Sequence, residues 1–296
     1  MARSAGGPLA SRLALVGAAL IYGSTFVVVQ RGTEDLTPAA FLAVRFAIGA
    51  LVLLPFTRWT ASPAGGGLLA AGGLAGAALL VGYLLQTVGL QYTSTSNSAF
   101  LTGLFVVFTP LLAAGLARRP PGPGALAGVG LATAGLFLLT GARVTLSAGD
   151  ALTLGCALFF AAHIVVLGEV ADRFHPVHLN AVQLVVVAVG AALALPVTGV
   201  GHVTAAALAA AAFTGVAASG LAFTLQLFGQ RHVGPTGSAL LLSLEPVFAG
   251  MFGYAAGERL GSGGFIGASL ILAGVMVAQL VPAPVGQAGG RLDRAV

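Results

Sequence analysis

The chain has 296 residues, 57% of them hydrophobic and 7% charged, with a mean hydropathy of +1.00. So few charges cannot cover a water-soluble globule, and the composition is that of an integral membrane protein. All 13 basic residues are Arg, so there is no P-loop lysine to hold a nucleotide and no lysine to form a Schiff base; the net charge of +5 sits at helix ends, which suits membrane orientation and not nucleic-acid binding.

The apolar runs are long, lack two-residue alternation and are rich in Gly, Ala and Leu, which predicts membrane helices of about 20 residues and not barrel strands. The first runs from Leu13 to Arg31 and carries Tyr22; it continues to Val29 without a clear cleavage site and therefore reads as a span, not a cleaved leader. The second, Pro38 to Thr57, carries Arg45 about seven residues inside, roughly 10 Å from its end, where it is expected to snorkel outward or bond loop carbonyls. The third, Gly67 to Leu90, places Tyr83, Gln86, Thr87 and Leu90 on one face, and the fourth, Ser96 to Ala117, does the same with Ser98, Thr102, Phe105 and Thr109, with Asn97 near its start. Gly124 to Gly141 is the fifth.

The sixth, Ala151 to Val170, contains Cys156, read as a packing residue, and His163, which either lines a cavity or packs as a satisfied neutral histidine. The seventh is Val177 to Thr198. In the eighth, Ala205 to Gly229, the stripe is Ser219, Phe223 and Gln226, with Gln230 just beyond; in the ninth, Pro235 to Ala256, it is Ser238, Leu242, Glu245, Ala249 and Phe252. The tenth is Ser262 to Val281. Because lipid disfavours polar groups, these stripes should face inward, although Ser and Thr also bond their own helix backbone, and Gln or Asn can simply tie helices together. The scattered His residues give no metal site, and no cofactor is expected.

Arg3, Arg12, Arg58, Arg118, Arg119, Arg173, Arg231, Arg291 and Arg294 fall on one side of these spans, against Arg31, Arg143 and Arg259 on the other. The positive-inside rule then puts both termini in the cytoplasm. An offset of 139 residues matches Gly128 with Gly267, Gly135 with Gly274 and Gln91 with Gln230; an offset of 138 matches Pro38 with Pro176 and Arg45 with Gln183. The expected fold is therefore all-α, with ten transmembrane helices as two inverted five-helix repeats: residues 10–141, then 148–283, then a cytoplasmic tail at 284–296. Five is odd, so the second copy must enter the bilayer upside down, an arrangement recurrent in transporters. The Gly pattern reads as close helix packing, within one chain or between two.

The segments "LAVRFAIGALVLLP", "YTSTSNSAFLTGLFVVFTPLLAA" and "SALLLSLEPVFAGMFGYAAGERLGSGGFIGASLILAGVMV" resemble the drug/metabolite transporter superfamily, in its tandem EamA-domain branch. The resemblance covers about residues 10 to 283, with one departure: "LARRPPG" in the first unit stands where the second has "AAGERLG", so Arg119 is opposite Glu258. It implies a multi-pass protein of the bacterial cytoplasmic membrane that moves a small metabolite through a central cavity by alternating access. It is similar to amino-acid exporters, including the aromatic amino-acid exporters. An exporter of drugs or lipophilic cations is the alternative, and an intramembrane enzyme or a channel a more remote one; no paired acids, metal-spaced histidines or nucleophile elbow argue for the enzyme.

Two further expectations concern the ninth span. Glu245 lies ten residues into it, near the midplane, where a lone carboxylate must be protonated or paired, and Arg45 is the other deep charge. Pro246, like Pro110 in the fourth span, has no backbone donor, which leaves the carbonyls of Leu242 and Val106 unpartnered and predicts a kink at each, about one turn apart along the matching helices.

Overall fold

A computed structural model describes residues 7–62, 65–142, 147–255 and 261–280. The tail at 284–296, the end of the second repeat beyond Leu280, and Arg3, Arg143, Glu258, Arg259, Arg291 and Arg294 lie outside the described residues.

Within them the chain is helical, and its breaks fall where the sequence supplies them. The first rod is α1 (Pro8–Asp35) and the second α2 (Pro38–Thr57), which opens with Pro38 in its first turn and the Thr37 side chain accepting from the Ala40 N–H. α3 (Gly66–Gly89) follows, then a fourth rod in two pieces, α4 (Thr95–Gly103) and α5 (Phe105–Ala117). α6 (Pro123–Thr140) ends on Gly141 at φ 60°, the left-handed geometry that glycine takes without steric cost. A reciprocal Ser147–Asp150 capping box starts α7 (Ala148–Val170). Then come α8 (Pro176–Leu193) with the single turn α9 (Leu195–Thr198), and an eighth rod made of α10 (Ala205–Thr214), a π-helical segment Gly215–Ala222 and α11 (Phe223–Gln230). The ninth rod is again split, into α12 (Pro235–Leu242) and α13 (Glu245–Ala255), and α14 (Ser262–Leu280) closes the described chain.

Among the described residues, 8 helical stretches are long and apolar enough to cross a membrane; the apolar stretch Ser262–Ala278 of α14 is shorter, and the 28-residue α1 carries Arg12, Arg31, Glu34 and Asp35 toward its ends. Leu51, Leu74, Leu111, Val189, Leu221 and Met276 stand exposed on the outside of the bundle, where water would penalise them and lipid would not. The protein is an integral membrane protein.

The two splits do not fall at both prolines. They lie at Leu104 and at Ser243–Leu244, and the 139-residue offset maps Leu104 onto Ser243. At each, the backbone ladder tightens to a three-residue step, Leu104 N–H to the Leu101 carbonyl and Leu244 N–H to the Leu241 carbonyl. Pro246 sits in the first turn of α13, where no donor is required, so that break ends just before it; Pro110 lies inside α5, over a turn past its break. Ser243 adds to the interruption by donating its hydroxyl back to the Leu240 carbonyl at 2.7 Å.

Contacts between the two sequence-similar halves are reciprocal. α6 and α14 cross antiparallel within one chain through the four matched glycines: a β-carbon at Gly128 would lie 2.6 Å from the Gly274 carbonyl oxygen, and one at Gly135 2.5 Å from that of Gly267. α2 packs on α8; α3 packs on α7 and α8, as the eighth rod packs on α1 and α2. Buried side chains form two large clusters. One, including Leu15, Val106, Leu136, Leu241 and Ile271, joins α1, α5, α6, α12 and α14; the other, including Leu42, Leu79, Leu184 and Phe223, joins α2, α3, α8 and α11. Tyr22 and Phe160 pack against both, which puts them on the seam.

Candidate functional site

Polar and aromatic side chains from both halves meet on that seam. Phe223 is its hub: Tyr22 meets it edge-on at 5.4 Å, His163 at 5.8 Å, and Phe46 lies tilted at 6.4 Å. Phe46 and Phe160 flank the Tyr83 ring at 5.2 and 5.1 Å. The Tyr22 hydroxyl donates to Gln226 Oε1 at 3.0 Å; Gln226 donates to Gln230, which donates to the Ile164 carbonyl, so a relay ties α1 to α11 and α7.

Arg45 does not snorkel. It is 3% exposed and turned into the bundle, its guanidinium 5.2 Å from the Phe46 ring centre and 5.1 Å from that of Tyr83. Nε donates to Ser219 Oγ at 3.1 Å and Nη2 to the Tyr83 hydroxyl at 3.4 Å, so its hydrogen bonds run to these groups and not to Glu245. The physical reason is the close approach of α2 to the π segment: a β-carbon at Gly215 would lie 2.6 Å from the Arg45 carbonyl oxygen, and one at Gly49 2.9 Å from that of Gly215. An arginine on that face has a wall of helix outside it and aromatic rings within.

Its counterpart in the other half, Gln183, takes part in a second network. His163 Nε2 and Gln183 Oε1 are 3.0 Å apart, and Gln183 Nε2 donates to Asn180 Oδ1 at 2.8 Å. Asn180 Nδ2 lies 3.0 Å from the Ser219 and Gly220 carbonyls and 2.9 Å from Thr224 Oγ1. The wide π turn loosens the usual carbonyl pairing, and this buried amide supplies donors to it.

Glu245 begins α13, and its backbone abuts Gly23 of α1, where a β-carbon would lie 2.6 Å from the Glu245 carbonyl oxygen. It lies within electrostatic reach of Arg45, Tyr22 and Tyr83. These residues lie deep among protein atoms, yet Tyr22, Tyr83 and Glu245 are only half-buried. Gln86 and Thr102, also half-buried and joined at 3.1 Å, connect α3 to α4.

Tyr22, Tyr83, His163, Phe223, Gln226 and Glu245 are thus brought together, with Gln86 and Thr102 as a pair of their own. Thr87 and Ser238 are not joined to them: Thr87 bonds the Tyr83 carbonyl of its own helix at 2.6 Å, and Ser238 the Val233 carbonyl at 3.0 Å. Asn97 and Ser98 lie buried in the first turn of α4, where the Ser94 side chain caps the Asn97 N–H at 3.1 Å. Sequence reasoning passed over Arg45, Phe46, Phe160, Asn180 and Gln183 as site residues. The Arg45–Gln183 repeat match was the available signal.

Hydrogen bonds also join the loops at both ends of the bundle. At one end Asp35 accepts from the Thr204 hydroxyl at 2.6 Å and from the His202 N–H at 2.8 Å, beside a bridge between Leu36 and Gly201. At the other, Ser62 accepts from the His175 N–H at 3.0 Å, and His178 meets the Thr60 carbonyl at 3.0 Å. Burial, with the nearby Arg231 and His178, holds His175 below the usual histidine range, which keeps its Nδ1 free to accept from the Val177 N–H.

Comparison with known proteins agrees with this architecture. Residues 10–141 and 147–279 each match the EamA-like transporter family. Two relatives from Archaeoglobus fulgidus, each described as an uncharacterized transporter, are 34% identical over 90% of this chain and 84% of theirs, and 26% identical over 86% and 92%. A crystal structure with 19% identity superposes at a TM-score of 0.77 over 91% of this chain and 96% of its own, a likeness of fold.

Proposed function

Because the chain belongs to the EamA-like transporter family, as two tandem copies of that domain, we propose that it is a secondary transporter exporting a small metabolite, an amino acid in the first instance, across the cytoplasmic membrane. In this reading ten rods span the bilayer with both termini in the cytoplasm, and the two five-helix halves have inverted topology. Exchange of their conformations opens the central space first to one side and then to the other. One observation carries it: polar and aromatic side chains gather on the seam between two packing clusters, Tyr22 from one half and Phe160 from the other, with Arg45, Tyr83 and Glu245 among them. Polar groups so deep in an apolar bundle are costly unless they are hydrogen-bonded, and those that the protein leaves without a partner need a ligand or water.

The amino-acid assignment rests on the mixture of charges. A site for lipophilic cations needs acids and rings; a buried arginine among those rings works against it. Counterflow in proteoliposomes, run in parallel with amino acids and with cationic dyes, tests the proposal. Saturable exchange of amino acids is the expected result; exchange of the dyes alone would transfer the protein to the other substrate class, and non-saturable flux of either would mark a channel.

A further inference from the structure

We propose that Arg45 and Glu245 are the two poles of a zwitterion site, Arg45 taking the carboxylate and Glu245 the ammonium group of the substrate, a deepening that rests on the transporter reading above. Among the described residues no fully buried side-chain nitrogen or oxygen lacks a hydrogen-bond partner. Arg45 commits Nε to Ser219 and Nη2 to Tyr83, and Nη1 makes no hydrogen bond to the described protein. Nη1 therefore reaches open space, although the residue is 3% exposed. The same reasoning applies to both carboxylate oxygens of half-buried Glu245. Each charge keeps accessible surface, and the two stand at either end of one row of contacts, Arg45 over the Phe46 ring, Phe46 and Tyr22 on Phe223, and Glu245 against Gly23 next to Tyr22, without forming an ion pair among the described residues.

Two opposite charges left apart in a low-dielectric interior are a costly arrangement that a ligand bearing the complementary pair relieves. A guanidinium fixed at Nε and Nη2 and flanked by rings keeps its remaining edge for a planar carboxylate, which it binds in a fork where a lysine would be a point charge. Glu245, at the first position of α13 and beside the close α1 contact at Gly23, has a backbone held in place by packing. The aromatic groups Tyr22, Phe46, Tyr83, Phe160 and Phe223 would receive the rest of the molecule.

The test uses purified full-length protein and three kinds of probe: the standard amino acids, their decarboxylated amines and their deaminated acids, each competing in counterflow. Wild-type protein should prefer the intact amino acid over either analogue by about tenfold or more, as a missing partner leaves a buried charge unpaired. This comparison needs no variant. Arg45→Gln should bring the amino acid and its amine to equal potency, and Glu245→Gln should do so for the amino acid and its deaminated acid; Arg45→Lys should retain part of the preference. Equal potency of all three probes on the wild type, or unaltered ratios in the variants, would overturn the two-pole assignment while leaving amino-acid export standing. Absence of any amino-acid exchange would overturn both.

Discussion

Asn180 shows how much one amide can carry. It donates toward the Ser219 and Gly220 carbonyls and Thr224, and accepts from Gln183, which in turn orients His163. Asn180→Leu fills the same volume and removes every one of these bonds, so the variant should lose about 2 to 4 kcal/mol, more than an exposed polar change would cost. Reversible unfolding in detergent and lipid mixtures would measure it, and a loss under about 0.5 kcal/mol would show that water replaces the amide. This residue was not legible from the sequence. An asparagine in an apolar run says that a partner exists, but not that the partner is a distorted helix 39 residues on. Arg45 was misjudged for a related reason: its depth in the span was readable, but which face of α2 meets the π segment depends on Gly49 and Gly215, whose meaning emerges only once the helices pack.

At the scale of elements, Pro38, Pro123, Pro176 and Pro235 stand in the first turns of their helices, which is why those four span starts were readable to within one residue, whereas α1 begins five residues before the expected Leu13 and α7 three before Ala151. The interruptions at Leu104 and Ser243–Leu244 were harder to see, because proline is not their common cause. They share position, and a helix broken at matching points in both halves has two matching places to bend. Pro246 keeps the second break from healing, since restoring a donor there would allow α12 and α13 to join. Pro246→Ala should therefore slow exchange several-fold while changing substrate binding little. Paired measurements of binding and of counterflow rate would check it, and an unaltered rate would remove the break from the transport cycle.

For the molecule as a whole, the repeat was the most legible feature, since matched glycines and prolines at a fixed offset survive where other residues differ. What the sequence left open was whether the glycine faces meet within one chain, and α6 against α14 answers that. If the halves are inverted, the loop at Arg118 and the loop at His202 lie on opposite sides of the membrane. Cysteines placed singly at these exposed positions, in a Cys156→Ala background, should react with an impermeant maleimide in inside-out and right-side-out vesicles respectively. Reaction of both from the same side would refute the inverted arrangement.

The π segment has a consequence for the history of the chain. The offset between the halves is 138 residues at Arg45 and Gln183 but 139 at Gln91 and Gln230, and it is already 139 where Gly76 meets the Gln183 carbonyl and its counterpart Gly215 meets the Arg45 carbonyl, so the one-residue difference in length lies before the segment begins. The widened turn at Gly215–Ala222 therefore absorbs no difference in register between the halves; α3, its counterpart, is an unbroken α-helix over the matching residues 76–83. The segment is a divergence of the second half, held open by Asn180. Deleting Ala217 should accordingly turn α11 out of register by about 100° and cost folded protein, as deleting Val187 from the regular α8 should. Yields of monodisperse protein from the two deletions would compare them, and survival of the Ala217 deletion alone would mark the widened turn as an added residue.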